Sequence, residues 1–170
     1  MRNPAQSTSA VAADVSTVLV MAPRTRNPGS EWLALSAPDP VKIHRAWAQD
    51  QLAQIPSGRL WLAVEADLMR SVAAMQRIGP DRLGPVLVYP SADLAWWLVP
   101  CGAEDALADL GRLTVQPKGW MLRCPPAEWY VDGRGWLEKP DGSGQLTDPT
   151  ALGAAFGPSG GPRLPAEAFC

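Results

Sequence analysis

Hydrophobic and polar positions change period several times along this chain, and the changes mark out its elements. Asp39 followed by Pro40 has the chemistry of a helix N-cap and first position. Val41, Ile43, His44, Trp47, Gln51 and Ile55 follow, predicting a first helix. After Pro56, Ser57 and Gly58, residues 59–65 form a short apolar run bounded by turn residues, as expected of a buried strand. From Asp67 the spacing lengthens: Leu68, Val72, Met75 and Ile78 recur at three- and four-residue steps until Gly79 and Pro80 stop a helix.

Residues 85–90 and 94–100 are two apolar runs joined by Ser91, Ala92 and Asp93, the pattern of a hairpin. A short helix over 103–110, a strand near 113–115 and another over 119–124 follow. Residues 129–131 and 135–137 flank Asp132-Gly133 as a second hairpin. Thr147, Asp148 and Pro149 open a last helix running to about Phe156. This order predicts an α+β fold: a mainly antiparallel twisted sheet with helices packed on one side.

Residues 1–30 are mostly polar or rich in small residues and are expected to be largely flexible, although 16–21 has the Val-Leu-Val character of an edge strand. The folded unit is expected over 31–156, followed by a Pro- and Gly-rich flexible tail over 157–170.

The chain has 170 residues, which suits one core. A net charge of −2 argues against coating nucleic acid through a broad basic face, since phosphate binding needs clustered Lys and Arg. Cys101, Cys124 and Cys170 are odd in number and widely spaced, fitting neither a disulfide framework nor a paired-cysteine zinc site. His44 is the sole histidine, so His-rich metal sites are excluded and any catalytic triad would have to share one imidazole. The apolar run 15–22 is far shorter than the ~20 residues a membrane span requires. Asp14 just before it is unlike a secretory signal, so a cytoplasmic location without membrane association is expected.

Glu65 and Asp67 end the buried strand one residue apart, so both project to one sheet face, where paired carboxylates can hold Mg²⁺ or Mn²⁺ for phosphoryl transfer. The plainer reading is that Asp67 caps the following helix while Glu65 is solvated. Lys118 and Arg123 flank the strand over 119–124 and are candidate phosphate contacts, or simply solvated surface charges. Eight tryptophans offer stacking surfaces for bases, but most lie in predicted strands, where core packing is their ordinary role. Trp96 and Trp97 must send one ring to each sheet face, and one of the two is expected to face away from the core.

Taken with this order of elements, several segments resemble the N-terminal domain of bacterial bifunctional DNA primase/polymerases, within the archaeo-eukaryotic primase superfamily. They are Val64-Glu65-Ala66-Asp67, Trp96-Trp97-Leu98-Val99-Pro100-Cys101-Gly102, the stretch from Gly119 to Ala127, and Gly135-Trp136-Leu137. The stretch from Pro140 to Pro149 is similar to one in short bacterial proteins that keep this frame.

The resemblance implies a metal pair at Glu65 and Asp67, but with Glu in place of the first Asp. The family's hairpin histidine falls at about Leu94, its third acid has no counterpart between Leu110 and Lys118, and Ala127 replaces a serine. What is implied is a primase/polymerase-like frame with impaired catalysis, acting by binding a nucleotide or a protein partner across a face carrying Glu65, Asp67, Lys118 and Arg123. Weak binding of single-stranded nucleic acid belongs to the same reading. Two alternatives stand beside it: an active Mg²⁺- or Mn²⁺-dependent nucleotidyl transferase, and a small regulatory or structural module without a nucleotide site.

Overall fold

The computed structural model describes residues 26–158. The candidate strand over 16–21 and nearly all of the 157–170 tail lie outside them. The fold is α+β, and every strand ladder is antiparallel.

Two helices begin it, α1 (Pro28–Leu35) and α2 (Pro40–Ala48), each with a proline in its first turn. The Asn27 side chain caps α1 by accepting from the backbone N–H groups of Gly29 and Ser30, and Asp39 caps α2 through Val41 and Lys42. Residues 28–30 are thus helical, which corrects the flexible reading of 1–30 at its end.

The first predicted helix is also shorter than expected. Asp50 adopts a left-handed backbone conformation just after α2. Residues expected to continue the helix instead form β1 (Ala53–Pro56), which pairs with β6 (Met121–Cys124). The alternation Ala53 and Ile55 buried, Gln54 exposed, is a strand period that four residues are too few to announce in sequence.

Five strands make the main sheet: β2 (Leu62–Asp67), β3 (Val86–Tyr89), β4 (Leu94–Val99), β5 (Thr114–Val115) and β7 (Gly135–Glu138), in the order β5-β2-β4-β3-β7. The β3–β4 hairpin forms as expected, through a 3₁₀ turn and a left-handed Asp93. The second predicted hairpin does not. Only Val131 and Arg134 bridge across Asp132-Gly133, and β7 pairs with β3 instead. At that turn the Tyr130 ring lies directly over Gly135, in the space a side chain there would occupy.

Alternation along the strands gives the sheet two covered faces. On one, Leu62, Val64, Ala66, Val88 and Trp97 pack with α3 (Leu68–Ile78), α4 (Glu104–Leu107) and α5 (Pro149–Phe156). On the other, Ala63, Leu87, Leu98, Trp96 and Trp136 pack with α1, α2 and the β1–β6 pair. Trp96 and Trp97 do point to opposite faces, but both are buried, at 3% and 0% exposure. This corrects the expectation that one of them leaves the core: the second face is covered by α1 and β1, which the sequence pattern did not disclose.

Within the core, the Trp97 indole donates to Ser71 Oγ at 3.0 Å. The buried backbone N–H of Gly84 donates to Thr147 Oγ1 at 3.0 Å. Among the described residues no helix is long and apolar enough to cross a membrane.

Candidate functional site

The second sheet face is only partly roofed. At one end of β2 and β4 it carries Glu65, Asp67, Leu94 and Trp96, joined by Tyr89 from β3, Gln116 after β5, Trp120 before β6 and Arg134 before β7. The strand period that puts Glu65 and Asp67 on one side was legible in sequence. Their partners come from strands distant in the chain.

Glu65 is half-buried and takes both of its hydrogen bonds on Oε2, from Trp96 Nε1 at 2.9 Å and from Gln116 Nε2 at 3.2 Å. Oε1 receives none among the described residues. Asp67 is the N-cap of α3: its Oδ1 accepts from the Arg70 backbone N–H at 2.9 Å. That bond is the main reason its carboxyl is held below the usual carboxylate range. The plain reading of Asp67 as a cap therefore describes its contacts, whereas Glu65 is held by donors rather than simply solvated.

Lys118 is directed elsewhere. Its Nζ lies 3.7 Å from Glu104 Oε1, at the head of α4, and α4 packs on the opposite sheet face from Glu65. Arg123 is exposed on β6, opposite Gln54. Its backbone carbonyl accepts a 3.3 Å bond from Arg134 Nη1.

The cation that does join the face is Arg134, which residue spacing did not single out. Its guanidinium carbon sits 4.8 Å from the centroid of the Trp96 ring and 5.0 Å from that of Tyr89, and it forms no ion pair among the described residues. Burial pulls its pKa below the ordinary arginine value, and the nearby Arg123 charge adds to the effect. Trp120 completes the patch, its ring centroid 6.4 Å from that of Trp96. The available sequence signal for Arg134 was its place between the Asp132-Gly133 turn and the apolar run that follows.

As a donor set for Mg²⁺ or Mn²⁺ these residues fit poorly. The Asp67 carboxylate is engaged by a helix end, and one Glu65 oxygen is taken by two neutral donors. No group of three or more His, Cys, Asp or Glu that could hold a metal ion occurs among the described residues. What the face offers is the partly exposed rings of Trp120 and Tyr89 beside a buried Trp96, and, among the described residues, a carboxylate with one unbonded oxygen and a guanidinium without a counter-ion.

No family model matches the sequence, and no curated protein or solved structure is significantly similar to it.

Proposed function

We propose that this chain is a primase/polymerase-like domain with impaired catalysis, which acts by binding a nucleotide on the open end of the sheet face. One observation carries the reading: a single indole, Trp96, holds the Glu65 carboxylate by its N–H edge and has the Arg134 guanidinium over its ring. Beside it the partly exposed Trp120 offers a surface on which a base stacks with little sequence preference, the Arg134 guanidinium, unpaired among the described residues, takes phosphate oxygens, and a carboxylate oxygen accepts from a sugar hydroxyl or an exocyclic amine. The Arg123 charge helps to lower the Arg134 pKa, a repulsion that a bound phosphate would relieve.

Gln116 supports the impairment. It lies in the segment where the resemblance requires a third acid, and its amide donates to Glu65. A carboxylate in its place would need a cation between itself and Glu65, whereas an amide needs none.

The test is calorimetric titration of a nucleoside triphosphate into the domain, with and without Mn²⁺, together with a primer-extension assay. Saturable binding that persists without metal, weakens at least tenfold in Arg134→Ala and comes without extension is the expected result. Binding that requires Mn²⁺ and disappears in Glu65→Ala/Asp67→Ala, accompanied by extension, would replace the proposal with an active transferase. Absence of binding in every condition would leave a scaffold without a nucleotide site.

A further inference from the structure

A second recessed place lies away from that face, between the first turn of α1, the outer side of α2 and the loop after β6. It is a cleft of about 170 Å³, and its walls include Arg26, Glu31, His44, Trp47, Glu128 and Trp129. Drug-sized ligands occupy roughly 300–1,000 Å³, so this space suits one side chain or one short chain of atoms.

Its chemistry is that of a receptor for a cation. Glu31 Oε1 is shut off from solvent yet receives no hydrogen bond among the described residues. Arg26 Nε lies 3.6 Å away as its ion-pair partner and the His44 ring nitrogen Nε2 3.4 Å away, neither with hydrogen-bond geometry. Oε1 thus faces Arg26 and His44, and a donor entering the cleft meets Glu31 at Oε2, which takes no hydrogen bond among the described residues and belongs to a side chain 30% exposed. The second carboxylate, Glu128, accepts from Ser30 Oγ on Oε2 at 2.6 Å and keeps its other oxygen. Ser30 Oγ in turn accepts from the Ala127 backbone N–H at 2.9 Å, which fixes the loop against α1. Trp47 and Trp129 add indole surface, the first buried and the second 38% exposed, and indole faces attract cations.

We propose that this cleft binds an alkylammonium or guanidinium group, held between Glu31 and Glu128 against the Trp129 ring. Such a group arises either as a lysine or arginine side chain of another protein or as a free polyamine. Because His44 is the chain's sole histidine, its ring signals in a proton–carbon NMR spectrum report on the cleft without assignment ambiguity.

The experiment titrates three probes into the full chain: N-acetyl-arginine N-methylamide, spermidine, and the uncharged N-acetyl-citrulline N-methylamide. The expected result is a saturable shift of the His44 signals with the charged probes and none with the citrulline compound. In Glu31→Gln/Glu128→Gln the apparent affinity falls at least tenfold. Stronger binding of the arginine probe points to a protein side chain as the natural ligand, and stronger binding of spermidine to a polyamine. Should the double variant lose its fold by circular dichroism, Trp129→Ala, altered at a partly exposed ring, must show the same weakening. No saturable shift, an equal shift with citrulline, or undiminished affinity in a folded variant would overturn the proposal.

Discussion

Trp96 and Glu65 stand opposite one another in the β2–β4 ladder, and the indole N–H of Trp96 donates to Glu65 Oε2 at 2.9 Å. A side-chain bond thus joins two strands already joined by their backbones, and it anchors the carboxylate at the edge of the open face. Trp96→Phe keeps an aromatic ring but removes the donor. The expected loss is about 1–2 kcal/mol of stability, from a charge-assisted bond together with reduced packing. Nucleoside triphosphate affinity should fall with it. Urea unfolding beside calorimetric titration reads both, and unchanged stability would mean that Gln116 alone holds Glu65.

Asp67 gives a prediction in pH. Its carboxyl is held below its ordinary value, chiefly by the Arg70 backbone N–H, so folding favours the ionised form. The stability this contributes is complete above the ordinary carboxylate range and is lost as pH falls through the depressed folded-state value. The thermal midpoint of Asp67→Ala should therefore lie below that of the parent at neutral pH and converge on it in acid. Asp67→Asn, which can still cap, should lie between the two at neutral pH. A constant gap at all pH values would remove the cap as the cause.

The capping pattern also shows what could be read from the chain alone. Asp39, Asp67 and Asp148 each precede a helix start, and all three begin helices as expected, because capping is a local bond between a side chain and backbone two or three residues on. The β3–β4 hairpin was equally local. What escaped reading depended on distance: β1 is a strand because β6 lies beside it, and β7 pairs with β3 across some fifty residues of chain. The candidate site divides the same way. Glu65 and Asp67 share a face by strand period alone, whereas Gln116 and Arg134 reach it only through the arrangement of the sheet. Glu31 reaches His44 from a helix that the sequence pattern did not disclose.

Cysteine reactivity should follow burial. Desolvation drives the Cys124 thiol far above its ordinary range, so it stays protonated, while Cys101 is exposed in a turn. Brief alkylation of the native chain followed by peptide mass mapping should modify Cys101 and spare Cys124. Labelling of Cys124 should require denaturant, and equal labelling of both would contradict its placement in the core.

Thr147 joins the chain's late segment to the sheet. Its backbone N–H donates to the Leu98 carbonyl at 2.9 Å, and its hydroxyl oxygen accepts from Gly84 at 3.0 Å in a fully buried setting. Thr147→Val preserves shape and leaves the Gly84 N–H without its acceptor, at an expected cost of about 1–3 kcal/mol. Thr147→Ser, which keeps the oxygen, should cost less. Chemical unfolding of the three proteins orders them, and a Val variant as stable as the parent would refute the role of this bond.

The ring of Tyr130 resting on Gly135 bears on how this molecule tolerates change. Arg134 has its backbone tied to Val131 in both directions, and the next residue is one whose lack of a side chain is what leaves room for the Tyr130 ring. Any replacement of Gly135 would lift the ring, disturb the turn and swing the guanidinium off Tyr89 and Trp96, although no charge had been altered. The direction of the Arg134 cation on this face is inherited from an empty position beside it.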